Sequence, residues 1–298
     1  LTSAFAIFAL VFSASQTQRI TDLTNYQVGA DFSGPLPGID STTSFNQQTS
    51  IVDHIQGVTS ATLGYGSVAT ASAGTPFQVQ LRAVDANNFA QTAIWTSQDS
   101  SQSLTTLMHQ LVAQRSTTTH ENVLPALIDA GTWNQLHLTQ GEHFRLAVNN
   151  PSDTGSGTIT CIAFAEVKRI PTTNNAGILV DYESYSAVYQ NLFNIYLPIN
   201  YLWVKTSNDP ALVQHVRDAL TSQQPIVNPL ADRRALIAQL SKDPLYLDLV
   251  GELALGASTA MLLALLGNLL ASWLNARNRQ TSFAVLRALG TSSQQVAG

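Results

Sequence analysis

Leu253–Ala276 runs for 24 residues without a charged side chain (LALGASTAMLLALLGNLLASWLNA). As a helix rising 1.5 Å per residue it would reach about 36 Å, more than the ~30 Å hydrocarbon core of a bilayer. Nine of its residues are leucine. At roughly −0.5 kcal/mol each near mid-membrane they favour insertion by about 4 kcal/mol, and Asn268 opposes this only modestly. A buried helix of a soluble protein is the alternative, and 24 uncharged residues argue against it. Trp273 stands near the end of the run, where an interfacial aromatic belongs. Gly256, Ala260 and Ala264 recur at four-residue spacing, as do Gly267 and Ala271. That spacing lets a second membrane helix approach closely, although small residues are common on lipid-facing helices too.

Charge gives the run a direction. The last 22 residues hold Arg277, Arg279 and Arg287 and no acid, whereas everything before them carries 11 basic and 19 acidic residues. The positive-inside rule then predicts a cytoplasmic C-terminus, with the chain before Leu253 outside. The same split, in a chain of net charge −5, disfavours nucleic acid as a partner. Only 11% of residues are charged, against about 25% in soluble domains, as expected of a polar exported domain joined to a segment in lipid.

At the other end Leu1–Ala14 (LTSAFAIFALVFSA) is apolar, with no charge before Arg19. Fourteen residues span only about 21 Å. This is either a signal-peptide core or the outer end of a membrane helix, and the second suits the membrane run at the far end. The absence of a starting Met and the stop at Gly298, inside a helix-like stretch, mark the sequence as an expected piece of a longer protein.

Between the two ends the patterns are mixed. Asp31–Gly38 is rich in turn residues, and Ser44–Gln56 predicts a short amphipathic helix with Ile51, Val52 and Ile55 on one face. Val58–Thr70 and Pro76–Val84 predict strands, the second from the alternation of Phe77, Val79 and Leu81 with glutamines. Ser97–Ala130 predicts helix, Thr132–Asn149 a strand-turn-strand, and Thr158–Val167 a central strand. Gly177–Asp181 and Asn200–Lys205 predict short strands. Asp209-Pro210 predicts a capped helix start, and Leu230–Leu249 a polar helical stalk.

Chemistry-bearing constellations are sparse. The six histidines (54, 109, 120, 137, 143 and 215) show no metal-ligand spacing, although His137 and His143 would meet across a hairpin. Glu166 and Asp181 form no evident acid/base pair. Trp95, Trp133, Tyr182, Tyr185 and Tyr189 read as core before ligand platform, and Cys161 as a small buried hydrophobe. GxxxxGK[ST] is absent, and Lys168, Lys205 and Lys242 are the only lysines, so this chain offers no phosphate-binding loop. No nucleophile elbow or dinucleotide fingerprint is present.

Arg277–Gly290 (RNRQTSFAVLRALG), followed by Gln295-Val296, resembles the cytoplasmic segment after the second membrane helix of MacB/FtsX-type permeases. Ser282 stands where that family usually carries an acid, which puts any ion pair made by the acid in question. Val28-Gly-Ala-Asp31, His54-Ile-Gln-Gly-Val58, Arg82-Ala-Val-Asp85 with Phe89, and Leu138-Thr-Gln-Gly-Glu142 resemble passages of the MacB-type core domain. The resemblance implies an α+β extracytoplasmic domain with an inserted β-rich subdomain, flanked by transmembrane α-helices. It assigns residues 1–18 to the end of a first transmembrane helix and 19–245 to the core domain, with the insert at about 86–165. Residues 246–276 become stalk and second transmembrane helix, and 277–298 a cytoplasmic coupling segment.

By the same resemblance this is not an enzyme but an ABC transporter permease in a bacterial cell membrane. It would hold no cofactor, because ATP would be bound by a partner subunit. The partners implied are a cytoplasmic ABC ATPase, a second permease copy or paralogue, membrane lipid and an extracytoplasmic protein. Arg277, Arg279, Phe283, Val285, Leu286, Arg287, Leu289 and Gly290 would form the ATPase-coupling segment. Gly256, Ala260, Ala264, Gly267 and Ala271 would pack against another membrane helix. A membrane sensor has the same outline but should continue into heptad-patterned helices. A membrane-anchored enzyme would need a catalytic cluster.

Overall fold

A computed structural model describes residues 2–36, 52–149, 156–222 and 227–288. The chain divides into two units, residues 21–238 and residues 1–20 with 239–298.

The larger unit is a mixed α/β domain around one sheet of nine strands: β1 (Phe32–Pro35), β2 (Val58–Ser72), β3 (Pro76–Val84), β4 (Val123–Asp129), β5 (His143–Asn149), β6 (Ser156–Val167), β7 (Gly177–Asp181), β8 (Tyr201–Thr206) and β9 (Ala231–Asp232). Six of them, β2-β3-β7-β4-β6-β5, close into a ring because β5 pairs back onto β2. The pairs β3–β7 and β4–β6 are parallel and the other ring pairs antiparallel. The 15-residue β2 serves two sheet regions. Val58–Gly64 pairs with β8, and Thr70–Ser72 with β5. At the changeover a Cβ on Gly64 would lie 2.3 Å from the Ala83 carbonyl oxygen, so no larger residue fits there.

Alternation explains the interior. All six ring strands send one face into a single apolar cluster that includes Val79, Leu81, Leu124, Ile128, Phe144 and Cys161. Helices with described bounds in the domain are α2 (Phe89–Thr92), α3 (Leu104–Ala113), α4 (Arg115–Glu121), α5 (Ala130–Gln135), α6 (Tyr182–Phe193), α7 (Pro210–Leu220) and α8 (Arg233–Leu240), after α1 (Thr2–Val28). Tyr185 and Tyr189 of α6 join the ring cluster. Leu104, Leu107, Met108 and Leu111 of α3 cover the opposite face of β3, β4 and β7 at Val84, Leu127 and Leu179. Val213, Val216 and Leu220 of α7 pack on Phe32, Leu63, Leu202 and Val204.

The expected strands at 58–70, 76–84, 158–167, 177–181 and 200–205 are present. The expected helix at 210 is capped by Asp209, which accepts from Ala211 N at 2.8 Å. Three expectations are corrected. The helix predicted over Ser97–Ala130 is two shorter ones, Leu104–Ala113 and Arg115–Glu121; the second ends at Asn122, whose φ is 55°, and Val123–Asp129 is a strand. That strand has neighbours on both sides, and Leu124–Asp129 are buried on both faces, so it lacks the period-two alternation that would mark it. Thr132 begins no strand. Asp129 accepts from Thr132 N at 2.8 Å and caps α5, leaving only His143–Asn149 extended. The stalk is not one helix: α8 stops at Leu240, turn residues follow, and α9 (Pro244–Ala288) begins afterwards. Of the helix expected over Ser44–Gln56, residues 44–51 lie outside the described residues, and Val52 is buried. The stretch 86–165, expected as an insert, supplies β4, β5 and most of β6, which pair with β2 and β7 in the one sheet.

Candidate functional site

Among the described residues a single helical stretch, Gly251–Arg277, is long and apolar enough to cross a membrane, with a mean hydropathy of 1.9 over its most apolar window. None of that window is buried. Leu255, Leu263 and Leu269 are each at least 65% exposed, a surface that needs lipid or protein to cover it. The polar groups on this stretch are partly satisfied within the helix. Ser258 donates to Ala254 O at 2.6 Å and Thr259 to Leu255 O at 2.9 Å, so these hydroxyls need no partner outside the helix. The Arg277 guanidinium lies 5.6 Å from the Trp273 ring centre, within cation–π reach.

Of the small residues, Gly256, Ala260 and Ala264 are half-buried and Gly267 and Ala271 exposed. A Cβ on Gly267 would meet nothing within 4 Å. Arg279, Phe283, Val285, Leu286 and Arg287 fall on the last turns of α9, with side chains outside the described residues. Leu289 and Gly290 lie outside the described residues altogether.

A second cluster, not visible in sequence, lies where the chain leaves α1 and where it returns through α8. Gly29, with φ of 71°, closes α1 by donating to Asn25 O at 2.8 Å. The last turns of α1 are held by two loops. Thr172 N donates to Tyr26 O at 2.8 Å, the Tyr26 hydroxyl donates to Thr173 O, and Gln98 donates to Asp22 at 2.6 Å. Burial raises the Tyr26 phenol above its ordinary value. Arg169 spans both loops, binding Asp99 at 3.1 Å and lying 5.2 Å from the Tyr26 ring centre. Two residues after Gly29, the buried Asp31 carboxylate accepts from Arg233 Nη2 at 2.9 Å, Arg233 Nε at 3.1 Å and Thr206 N at 3.0 Å. Arg234 Nη1 approaches it to 3.6 Å. Beside it Arg217 binds Asp232 at 2.6 Å and lies 5.9 Å from the Phe32 ring centre. The only advance signal was Asp31 itself, standing in the Val28-Gly-Ala-Asp31 passage.

A cleft of about 510 Å³ opens where the parallel strands β3 and β7 end, lined by Asp85, Asn88, Arg115, Tyr182, Glu183 and Gln190, among others. Arg115 grips the buried Asp181 with two nitrogens at 2.8 and 2.9 Å and reaches Glu183 at 2.5 Å. The bond to Asp181 raises the already high Arg115 value further. Asp181 in turn caps α6, accepting from Ser184 N at 3.0 Å. Burial pushes Tyr182 up to about 12, and its hydroxyl donates to Leu197 O.

Other sequence candidates do not assemble. His137 and His143 are both exposed, and no strand precedes the turn between them. Glu166 is exposed while Asp181 is buried against Arg115. Cys161 is fully buried among apolar side chains, which raises its thiol far above the ordinary range. Among the described residues no group of three or more His, Cys, Asp or Glu could hold a metal ion.

No family model matches the sequence, and no curated protein does. Solved structures similar to this fold include the extracellular domain of the noncanonic ABC-type transporter YknZ from Gram-positive bacteria. It shows 9% identity and a TM-score of 0.39, over 62% of this chain and 88% of that one. The periplasmic region of MacB from Actinobacillus actinomycetemcomitans is similar at 8% identity and a TM-score of 0.39, over 72% of this chain and 95% of that one. At those scores the likenesses carry no argument about activity, and a functional reading rests on this chain's own residues.

Proposed function

We propose that this chain is a permease subunit of an ABC transporter, which couples a separate cytoplasmic ATPase to an extracytoplasmic domain. The observation that carries the reading is the apolar span Gly251–Arg277 running directly into the basic, permease-like string Arg277–Gly290, with a folded α/β domain before it. On this reading the domain lies outside the cell membrane and the C-terminus inside. Phe283, Val285, Leu286 and Leu289 give apolar contact to an ATPase groove, and Arg287 anchors it. Export, lipoprotein release and mechanical signalling to an outer partner are the jobs such a subunit does. The helical break at Ser241–Asp243 means that any movement reaching the domain from α9 passes a turn, not a continuous rod.

Co-purification tests the reading. The intact chain, extracted from membranes in mild detergent, should bring down an ABC-type ATPase, and Phe283→Asp with Leu286→Asp should lose it. Intact protein that retains no ATPase would overturn the proposal. A membrane sensor is the second reading, favoured by the cleft beside Arg115, and it predicts that outcome.

A further inference from the structure

We infer that Asp31 is a positioning residue that locks together the two chain segments leading to α1 and α9, so that the domain answers displacement of either one as a single body. The consequence for transport deepens the permease reading and rests on it; the lock itself does not.

The case begins with chain order. Asp31 follows the end of α1 by three residues, and Arg233 opens α8, the helix that precedes α9. These positions are 202 residues apart in sequence, yet their backbones run side by side: Phe32 pairs with Asp232, Ser33 with Ala231, and Arg233 N donates to Asp31 O at 3.0 Å. A two-residue strand pair is too short to hold two segments under tension, because each backbone hydrogen bond contributes only about 1 kcal/mol net.

The side chains supply the rest. One Asp31 oxygen takes both Arg233 contacts, and the other takes Thr206 N of β8. Arg234 adds bonds to Thr206 Oγ1 at 3.0 Å and toward Asn208. One carboxylate thus fastens the outgoing segment, the returning segment and the sheet at a single point. Asp31 is 6% exposed, so water competes poorly for these bonds. An amide would not substitute. It offers one acceptor oxygen, and its NH2 would face N–H donors. The second pair, Arg217 with Asp232, ties the same returning strand to α7.

The test uses the full chain in lipid nanodiscs with spin labels on Leu23→Cys and Ala238→Cys, both exposed positions of the domain. Cys161 is buried and stays unlabelled. The unaltered clamp should give one narrow distance distribution by pulsed electron–electron resonance. Asp31→Asn should broaden it and add longer distances. Arg233→Lys, which keeps the charge and loses the two-pronged contact, should broaden it less and serves if Asp31→Asn does not fold. Arg115→Gln breaks a comparable buried pair elsewhere and controls for general loss of stability. A narrow distribution in Asp31→Asn, or equal broadening in Arg115→Gln, overturns the proposal. Because the distances need no ATPase, failure to find an ATPase leaves this result standing, and the two ideas fail separately.

Discussion

Leu263 sits at the middle of the apolar span and is 68% exposed, so replacing it with arginine places a charge where the bilayer centre would lie. The nine leucines of Leu253–Ala276 favour insertion by about 4 kcal/mol in sum. A central arginine costs about 3 kcal/mol and forfeits the ~0.5 kcal/mol of the leucine. The change of about 3.5 kcal/mol corresponds to a factor on the order of 300 in the insertion equilibrium and cancels most of the leucine contribution. After alkaline carbonate extraction a smaller share of Leu263→Arg protein than of the parent chain should therefore stay in the membrane pellet. Val68→Arg, at an exposed strand position of the domain, should leave membrane retention unchanged. Retention of Leu263→Arg equal to that of the parent would refute the assignment of this helix to lipid.

Three further outcomes follow from the domain. Arg115→Gln leaves the Asp181 carboxylate, 2% exposed, without its charge partner. It should cost about 2–3 kcal/mol by urea unfolding in mild detergent, less than a fully buried pair because Arg115 reaches solvent; no loss would contradict the ion-pair geometry. Burial raises the Asp129 carboxyl above its ordinary value. Above the ordinary carboxylate range the folded state then still holds a proton that the unfolded chain has released. Its contribution to stability is therefore full below that range and declines as pH rises toward the raised folded value. Asp129→Asn should remove that slope, so a stability gap between parent and variant that stays constant with pH would count against it. Gly64→Ala sets a Cβ 2.3 Å from the Ala83 carbonyl oxygen and should destabilise by about 1–3 kcal/mol, whereas a neutral result would mean that β2 shifts freely there.

Elements were legible where one face is wet. β3 alternates Val79, Leu81 and Ala83 with polar residues, and α7 announces itself by Asp209-Pro210 and an apolar stripe. β4 was not legible because both its faces are buried and it contains Pro125, beside a register shift at Ala126/Leu127. α6 shows in the sequence only through the four-residue spacing of Tyr185 and Tyr189, which marks a helix face as well as two core aromatics. The ring closure is invisible locally, since it depends on Thr70–Ser72 of β2 finding Arg145–Ala147. Of the candidate features, the long apolar stretch Gly251–Arg277 could be read outright, because length and apolarity are properties of contiguous residues. The Asp31 clamp could not, because Arg233 is 202 residues away and nothing near Asp31 names it.

The proposed permease puts the α/β domain and the C-terminus on opposite sides of one membrane, and side-specific cysteine labelling in intact cells tests that most directly. Ser101→Cys is exposed on the domain, Arg279→Cys follows the span, and the native Cys161 is buried. A membrane-impermeant maleimide should label Ser101→Cys in intact cells and Arg279→Cys only after the membrane is opened. Labelling of Arg279→Cys in intact cells, with Ser101→Cys protected, would invert the topology and contradict coupling to a cytoplasmic ATPase through Arg277–Gly290.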